Sequence, residues 1–130
     1  MDRRVAEKQK PVLTLEQRRA EDAWQKAGDG IARHKNDYVN DAKGLPALIM
    51  NSGLMQVMAY LHEKGGRHEA LAQHLRDWLS RQCGTPKDFE GFMEHLFRMP
   101  DARRFQDITA EAFAWLRWLR QMAGARKGDY

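Results

Sequence analysis

The sequence predicts an all-α fold, a single compact helical domain of five principal helices plus one or two short ones. Three observations predict it. Apolar residues recur three and four apart along most of the chain, the spacing of one helix face. No window alternates apolar and polar residues for long enough to form a strand. Capping residues, prolines and glycines stand where the periodic runs begin and end. A chain of 130 residues suits one core, expected over residues 13–126. Residues 1–12 read as a flexible basic N-terminal tail, and residues 127–130 as a C-terminal tail.

The first helix is expected to start at Thr14, which forms a capping box with Gln17. Its apolar face is Ala20, Ala23, Trp24, Ala27 and Ile31. A break or short turn is expected from Tyr38 to Gly44. A central helix then starts near Pro46, since proline suits a first helical turn. It carries Leu48, Ile49, Met50, Leu54, Met55, Val57, Met58, Tyr60 and Leu61, apolar nearly all round, which predicts burial on every side. Gly65 and Gly66 end it. A fourth segment, about His68 to Gln82, places Leu71, Leu75, Trp78 and Leu79 on one face and stops at Gly84. Thr85 and Pro86 are expected to cap and start the next helix, with Phe89, Phe92, Met93, Leu96 and Phe97 as its stripe. Asp101 is expected to cap a short turn containing Phe105. Thr109 is expected to cap the last long helix, whose core stripe is Ala112, Trp115, Leu116, Leu119 and Ala123.

Composition narrows the classes of function. Hydrophobic residues make up 42% of the chain and there is one cysteine, which excludes collagen-like, disulfide-stapled and disordered chains. The densest apolar run, Leu45 to Met50, contains Pro46 and falls far short of the ~20 residues of a membrane-spanning helix. The N-terminal stretch has basic residues but no apolar run behind them, so no secretory signal is expected. Cys83 has no partner for an internal disulfide, and a reducing cytoplasm is the expected location. The net charge of +4 permits a polyanionic partner without demanding one.

The residues of catalysis do not form a recognisable set. His34, His62, His68, His74 and His95 include no pair four apart on one helix face, and zinc needs three or four convergent ligands. His62-Glu63 opens like a zinc-protease motif, but Gly66 stands where the second histidine belongs. Cys83 lacks any local signature of a nucleophile, and Gly28-Asp29-Gly30 lacks the frame of a phosphate loop. No catalytic residue, metal or cofactor is therefore expected.

Cations and one tryptophan are more informative. Arg19, Lys26 and Arg33 are seven apart and share a stripe roughly 120° from the apolar face, expected to point to solvent. Arg117 and Arg120, followed by Arg126 and Lys127, make a second basic group. Such stripes either track a phosphate backbone or form a solvated face laced with ion pairs. Trp118 lies roughly 120° from the last helix's core face, with Ala114 and Met122 four residues away on either side. That strip is either buried on both sides or a docking surface.

The stretch Tyr38…Lys43-Gly44-Leu45-Pro46-Ala47-Leu48-Ile49-Met50-Asn51-Ser52-Gly53-Leu54-Met55-Gln56 resembles the signature of the small α-helical subunit of the Cmr-type (type III-B) CRISPR effector complex. The matching elements are a tyrosine, then Lys43, Leu45 and Pro46, then Ile49, then Asn51, Gly53, Leu54 and Gln56. Arg18-Arg19-Ala20 with Ala23-Trp24 resembles that family's first helix. His74-Leu75 with Trp78-Leu79 resembles a middle helix, and Thr109 to Leu119 the last. The resemblance runs from about Thr14 to Ala125. It implies a non-enzymatic antiviral-defence subunit that stacks with other copies of itself in a minor filament. It also implies contact with the large polymerase-like subunit and the guide-bearing backbone, and a place beside the basic channel for target RNA. In that setting Arg19, Lys26, Arg33, Lys43, Arg117 and Arg120 are candidate RNA contacts, and Ala114, Trp118 and Met122 candidate subunit contacts. Asn51 and Gln56 admit two readings, as partners of buried backbone groups or as contact residues.

Two readings of other classes compete. A free-standing helix-turn-helix DNA-binding regulator would use Gly65 to Arg81 as turn and recognition helix, with Arg67, Gln73 and Arg76 reading bases. A histidine acid–base nuclease would need two histidines to converge.

Overall fold

The computed structural model describes residues 12–128, and six α-helices make up this part of the chain. They are α1 (Leu15–His34), α2 (Asn36–Ser52), α3 (Leu54–Lys64), α4 (Gly66–Cys83), α5 (Phe89–Phe97) and α6 (Ala102–Ala125). The fold is all-α, as the periodicity predicts. The tail expected at residues 1–12 lies outside the described residues except for the exposed Val12, as do residues 129–130.

Helix α1 begins with the expected capping box: Gln17 N–H donates to Thr14 Oγ1 at 3.1 Å, and Thr14 N–H to Gln17 Oε1 at 2.7 Å. An N-cap of this kind stabilises a helix by about 1 kcal/mol. The buried face carries Ala23, Ala27, Gly30 and Ile31, but Trp24 falls off it and is 44% exposed. Its ring lies at the edge instead, beneath the Arg126 guanidinium at 4.4 Å from the ring centre.

The largest departure from expectation lies in residues 38–53. The segment expected to break is helical, and Pro46 stands inside α2 rather than at its start. The reason is visible in the spacing. Tyr38, Val39, Ala42, Leu45 and Ile49 continue one apolar face across Gly44 and Pro46, and all five are buried. Burial of that face outweighs the ~3 kcal/mol by which proline disfavours a helix interior. Tyr38 anchors the face against Gly30 of α1, where a Cβ would stand 2.4 Å from the Tyr38 ring.

The central apolar run is likewise two helices. Gly53, at φ 84° and ψ 158°, ends α2 and starts α3, and its N–H donates to Ile49 O at 2.7 Å. No neighbour crowds Gly53, so its backbone angles call for glycine there and not a close approach. Burial on every side is not found: Met50 is 77% exposed, and Leu48 and Tyr60 are exposed as well.

Asp88 caps α5 by accepting from Gly91 N–H at 2.8 Å, in place of Thr85, which is buried. The short turn and the last helix are one element. Asp101 caps α6 through Arg103 and Arg104 N–H, and Thr109 sits inside it with its hydroxyl donating to Phe105 O.

Helix α6 packs along α1 and α2, and α4 lies against all the other helices in turn, with α5 covering the α3–α4 side. Trp78, Trp115, Tyr38 and Phe92 fill the centre with aliphatic residues from every helix. Two buried carboxylates serve the indoles there. Trp115 Nε1 donates to Asp22 at 2.8 Å, and Trp78 Nε1 to Glu111 at 3.0 Å.

Candidate functional site

The chemistry-bearing side chains fall into two groups, those the fold consumes and those it leaves on the surface. Arg19 belongs to the first. Its guanidinium grips Glu111 of α6 through Nε at 2.8 Å and NH2 at 2.7 Å, and its side chain is 18% exposed. The bonds to Glu111 raise the Arg19 pKa against the opposing effect of burial. Lys26 is mostly covered too, and its ammonium sits 2.9 Å from buried Asp22. The expected solvent stripe is therefore a correction: only Arg33 of the three is exposed, and it pairs with Asp29 at 3.3 Å. The cause lies in the partners. Asp22 and Glu111 are held inside by tryptophan N–H groups and draw the cations down onto α6 and α1.

Lys43, Arg117 and Arg120 are exposed. The Trp118 strip is neither free nor fully buried. Trp118 and Met122 pack against the core from its edge, Ala114 is half-buried, and the Trp118 indole N–H donates to Glu16 at the start of α1.

The histidines do not converge. Burial lowers the His74 pKa despite its 2.9 Å contact with Asp29, and its Nδ1 meets the Tyr38 hydroxyl at 2.7 Å. Burial raises the Tyr38 pKa, helped by the charges of Asp29 and Asp22. Burial opposes ionisation of Asp29, but His74 and Arg33 outweigh it and hold the carboxyl below its usual range. With Tyr38 sealed in the core, the trio fastens α1, α2 and α4 together and offers no nucleophile. His62 stacks on Phe89 at 3.9 Å and reaches Glu69. Burial also raises the Cys83 thiol, the opposite of activation. Among the described residues no three His, Cys, Asp or Glu side chains form a metal-binding group, and no helix is long and apolar enough to cross a membrane.

The helix-turn-helix reading fails on α4. Arg76 is buried, bound to Glu69 at 2.7 Å and to Lys87 O at 2.8 Å. Gln73 joins Asp77 and Arg76, and Arg67 joins Asp41 and Asp37. A helix whose polar groups are spent on its own domain cannot enter a major groove.

What remains is the elbow between α2 and α3. Asn51, Ser52, Gly53 and Gln56 are all exposed there, next to exposed Leu48, Met50 and Tyr60. An open hollow of about 290 Å³ lies among Leu48, Ser52, Gln56, Val57 and Tyr60. The sequence model of the family described as "CRISPR-associated protein (Cas_Cmr5)" matches residues 15–126. The chain belongs to the CRISPR-associated Cmr5 family. The "CRISPR system Cmr subunit Cmr5" of Thermotoga maritima is 29% identical over 87 residues, 67% of this chain and 64% of that protein. The match thus spans somewhat under two thirds of that relative's length. The fold is similar to the X-ray crystal structure of a CRISPR-associated Cmr5 family protein from Thermus thermophilus. The TM-score is 0.72 at 24% identity, over 87% of this chain and 97% of that one.

Against the Cmr5 signature, the structure divides the quoted residues by role. Leu45, Ile49 and Leu54 are core, and Pro46 is half-buried. Lys43, Asn51, Gly53 and Gln56 are surface. Asn51 and Gln56 therefore stand at the surface and not within the core. The sequence reading did not pick out Leu48, Met50, Tyr60 and the 65% exposed Phe97 as surface residues. For Leu48, Met50 and Tyr60 the signal is present in the run that is apolar nearly all round, which a small domain cannot bury on every side; Phe97 lies outside that run.

Proposed function

We propose that this Cmr5-family chain is a non-catalytic small subunit of a type III-B Cmr effector complex in the cytoplasm. It stacks with other copies of itself beside the guide-bearing backbone, contacts the large polymerase-like subunit, and contributes cations to the target-RNA channel. The observation that carries this reading is the family match along nearly all of the described chain. The exposed elbow of Leu48, Met50, Asn51, Gln56 and Tyr60 supports it, because exposed apolar side chains rimmed by amides suit a protein interface. So does the engagement of His74 and of the buried carboxylates inside the fold. The RNA-facing candidates are Lys43, Arg117, Arg120 and Arg33, whereas Arg19 and Lys26 are committed to Glu111 and Asp22. Trp118, Ala114 and Met122 remain candidates for the subunit contact at the α6 edge.

Affinity purification of the tagged chain from its native cell tests the assembly. Co-purification of the other Cmr subunits and guide RNA is expected, and recovery of the chain alone overturns the reading. RNA contact is tested in the purified complex with Lys43→Glu, Arg117→Glu and Arg120→Glu combined. Each phosphate contact to a single strand contributes about −0.7 to the slope of log K against log salt, so the slope is expected to flatten by about 2. Equal affinities and slopes would leave the subunit a purely architectural role.

A further inference from the structure

The groove between α3 and α5 has a chemistry unlike the rest of this basic chain. Phe97 is a ridge between two open hollows. One, of about 500 Å³, runs from Ser52 and Gln56 past Met55 and Ala59 to Phe105. The other, of about 600 Å³, is floored by Phe89 and Met93 and rimmed by Asp88, Glu90 and Glu94. Phe97 is 65% exposed, and the His62 ring stacked flat on Phe89 closes one end. An aromatic ridge left in water beside hollows of this size marks a place for another apolar side chain.

We propose that this groove docks a basic amphipathic helix of a different protein, with Leu, Met or aromatic anchors in the two hollows and Lys or Arg beside Asp88, Glu90 and Glu94. Charge complementarity selects that occupant. Asp88 caps α5 and Glu94 stands 3.7 Å from Arg98, so exposed Glu90 is the rim carboxylate left to meet a basic segment. The chain carries +4 overall, and at this acidic rim a basic segment meets opposite charge next to apolar surface. The groove runs between two helices, the setting in which an amphipathic helix lays its apolar face. A second copy of this chain is a poor occupant. Of the aromatics it offers beside cations, Trp118 is packed on its own core and bound to Glu16, and the Trp24 and Tyr60 rings are already faced by Arg126 and Lys64 of their own chain. The proposal goes beyond the assembly reading, and its test uses the isolated full chain, so the two fail separately.

The probe is a synthetic 14-residue amphipathic helix with Leu and Phe on one face and Lys at both flanks. Its partner probe has Glu in place of Lys. Both are titrated into the full chain and followed by backbone amide shifts. The Lys peptide is expected to bind at least tenfold more tightly, with shifts confined to α3, α5 and the start of α6. Phe97→Ser is expected to weaken binding at least tenfold with unchanged helicity and melting, since Phe97 is on the surface. Glu90→Lys is expected to reverse the preference between the peptides. No binding, equal binding of the two peptides, or shifts elsewhere would overturn the proposal. Concentration-dependent self-association abolished by Phe97→Ser would also overturn it, by making the occupant a second copy.

Discussion

Replacing Arg19 by alanine separates a structural cation from a nucleic-acid contact. The guanidinium makes two charge-assisted bonds to Glu111, at 2.8 and 2.7 Å. Glu111 is 8% exposed, and without Arg19 its charge keeps only the Trp78 N–H at 3.0 Å. Removing one partner of a buried pair costs about 3–5 kcal/mol, against about 0–1 for exposed pairs. Arg19 retains some contact with water, at 18% exposure, which places the expected loss near the lower end of the buried range, about 3 kcal/mol. At about 4 °C per kcal/mol for a domain of this size, the melting temperature should fall by about 12 °C. Thermal and urea melts of Arg19→Ala, Glu111→Gln and the double variant supply the check. The double variant leaves no lone buried charge, so it should be more stable than the sum of the single losses predicts, by about 2 kcal/mol. A melting temperature within about 2 °C of the parent, with additive losses, would refute this reasoning and make Arg19 a solvated surface cation.

Gly30→Ala should destabilise by about 1–3 kcal/mol or more, because its Cβ would stand 2.4 Å from the rigid ring of buried Tyr38; Tyr38→Val in the same chain should recover part of the loss in a denaturant melt. Lys35 holds φ 58° and ψ −143°, so Lys35→Gly should raise stability by about 1 kcal/mol, backbone strain of about 1–3 kcal/mol being partly offset by the freer unfolded chain. Stability should fall as the pH drops through 6.5 toward the depressed value of His74 in the fold. The His74 pKa is below 6.5 in the fold, so the unfolded chain binds more protons between those two values, and stability there rises with pH. The Asp29 contribution, present above its ordinary 3.8, is lost only at lower pH, as the carboxyl protonates through its depressed value. Melts taken from neutral pH to below pH 3.8 should show two separate steps, and His74→Gln should remove the upper one.

The helices were legible wherever one apolar stripe met an unambiguous cap. Thr14 with Gln17, and Ala112 to Ala123, read directly from spacing. Pro46 and Gly44 misled because propensity is local, whereas the face from Tyr38 to Ile49 is decided by what it packs against. Thr109 looked like a cap, but its hydroxyl can bond back to Phe105 O inside a continuous helix. The site was harder to read. A cation stripe is visible in sequence, and Asp22 and Asp29 stand four residues from Lys26 and Arg33 on the same helix, but Glu111, which holds Arg19, comes from another helix ninety-two positions away. Exposed apolar residues such as Met50 and Phe97 cannot be told from core by type, since either face of a short helix can be apolar.

Three successive junctions between helices consist of one residue each, Lys35, Gly53 and Gly65, all at positive φ. Four helices therefore follow one another with no slack. Adding one residue at such a junction would change the angle and offset at which the next helix leaves it and draw that helix's buried face off the core. Changes in chain length over evolutionary time are thereby steered to the two longer connections, residues 84–88 and 98–101, which flank α5. Relatives that gain or lose residues should do so there, and the α3–α5 groove should vary between species while the α1–α4 frame stays fixed in length.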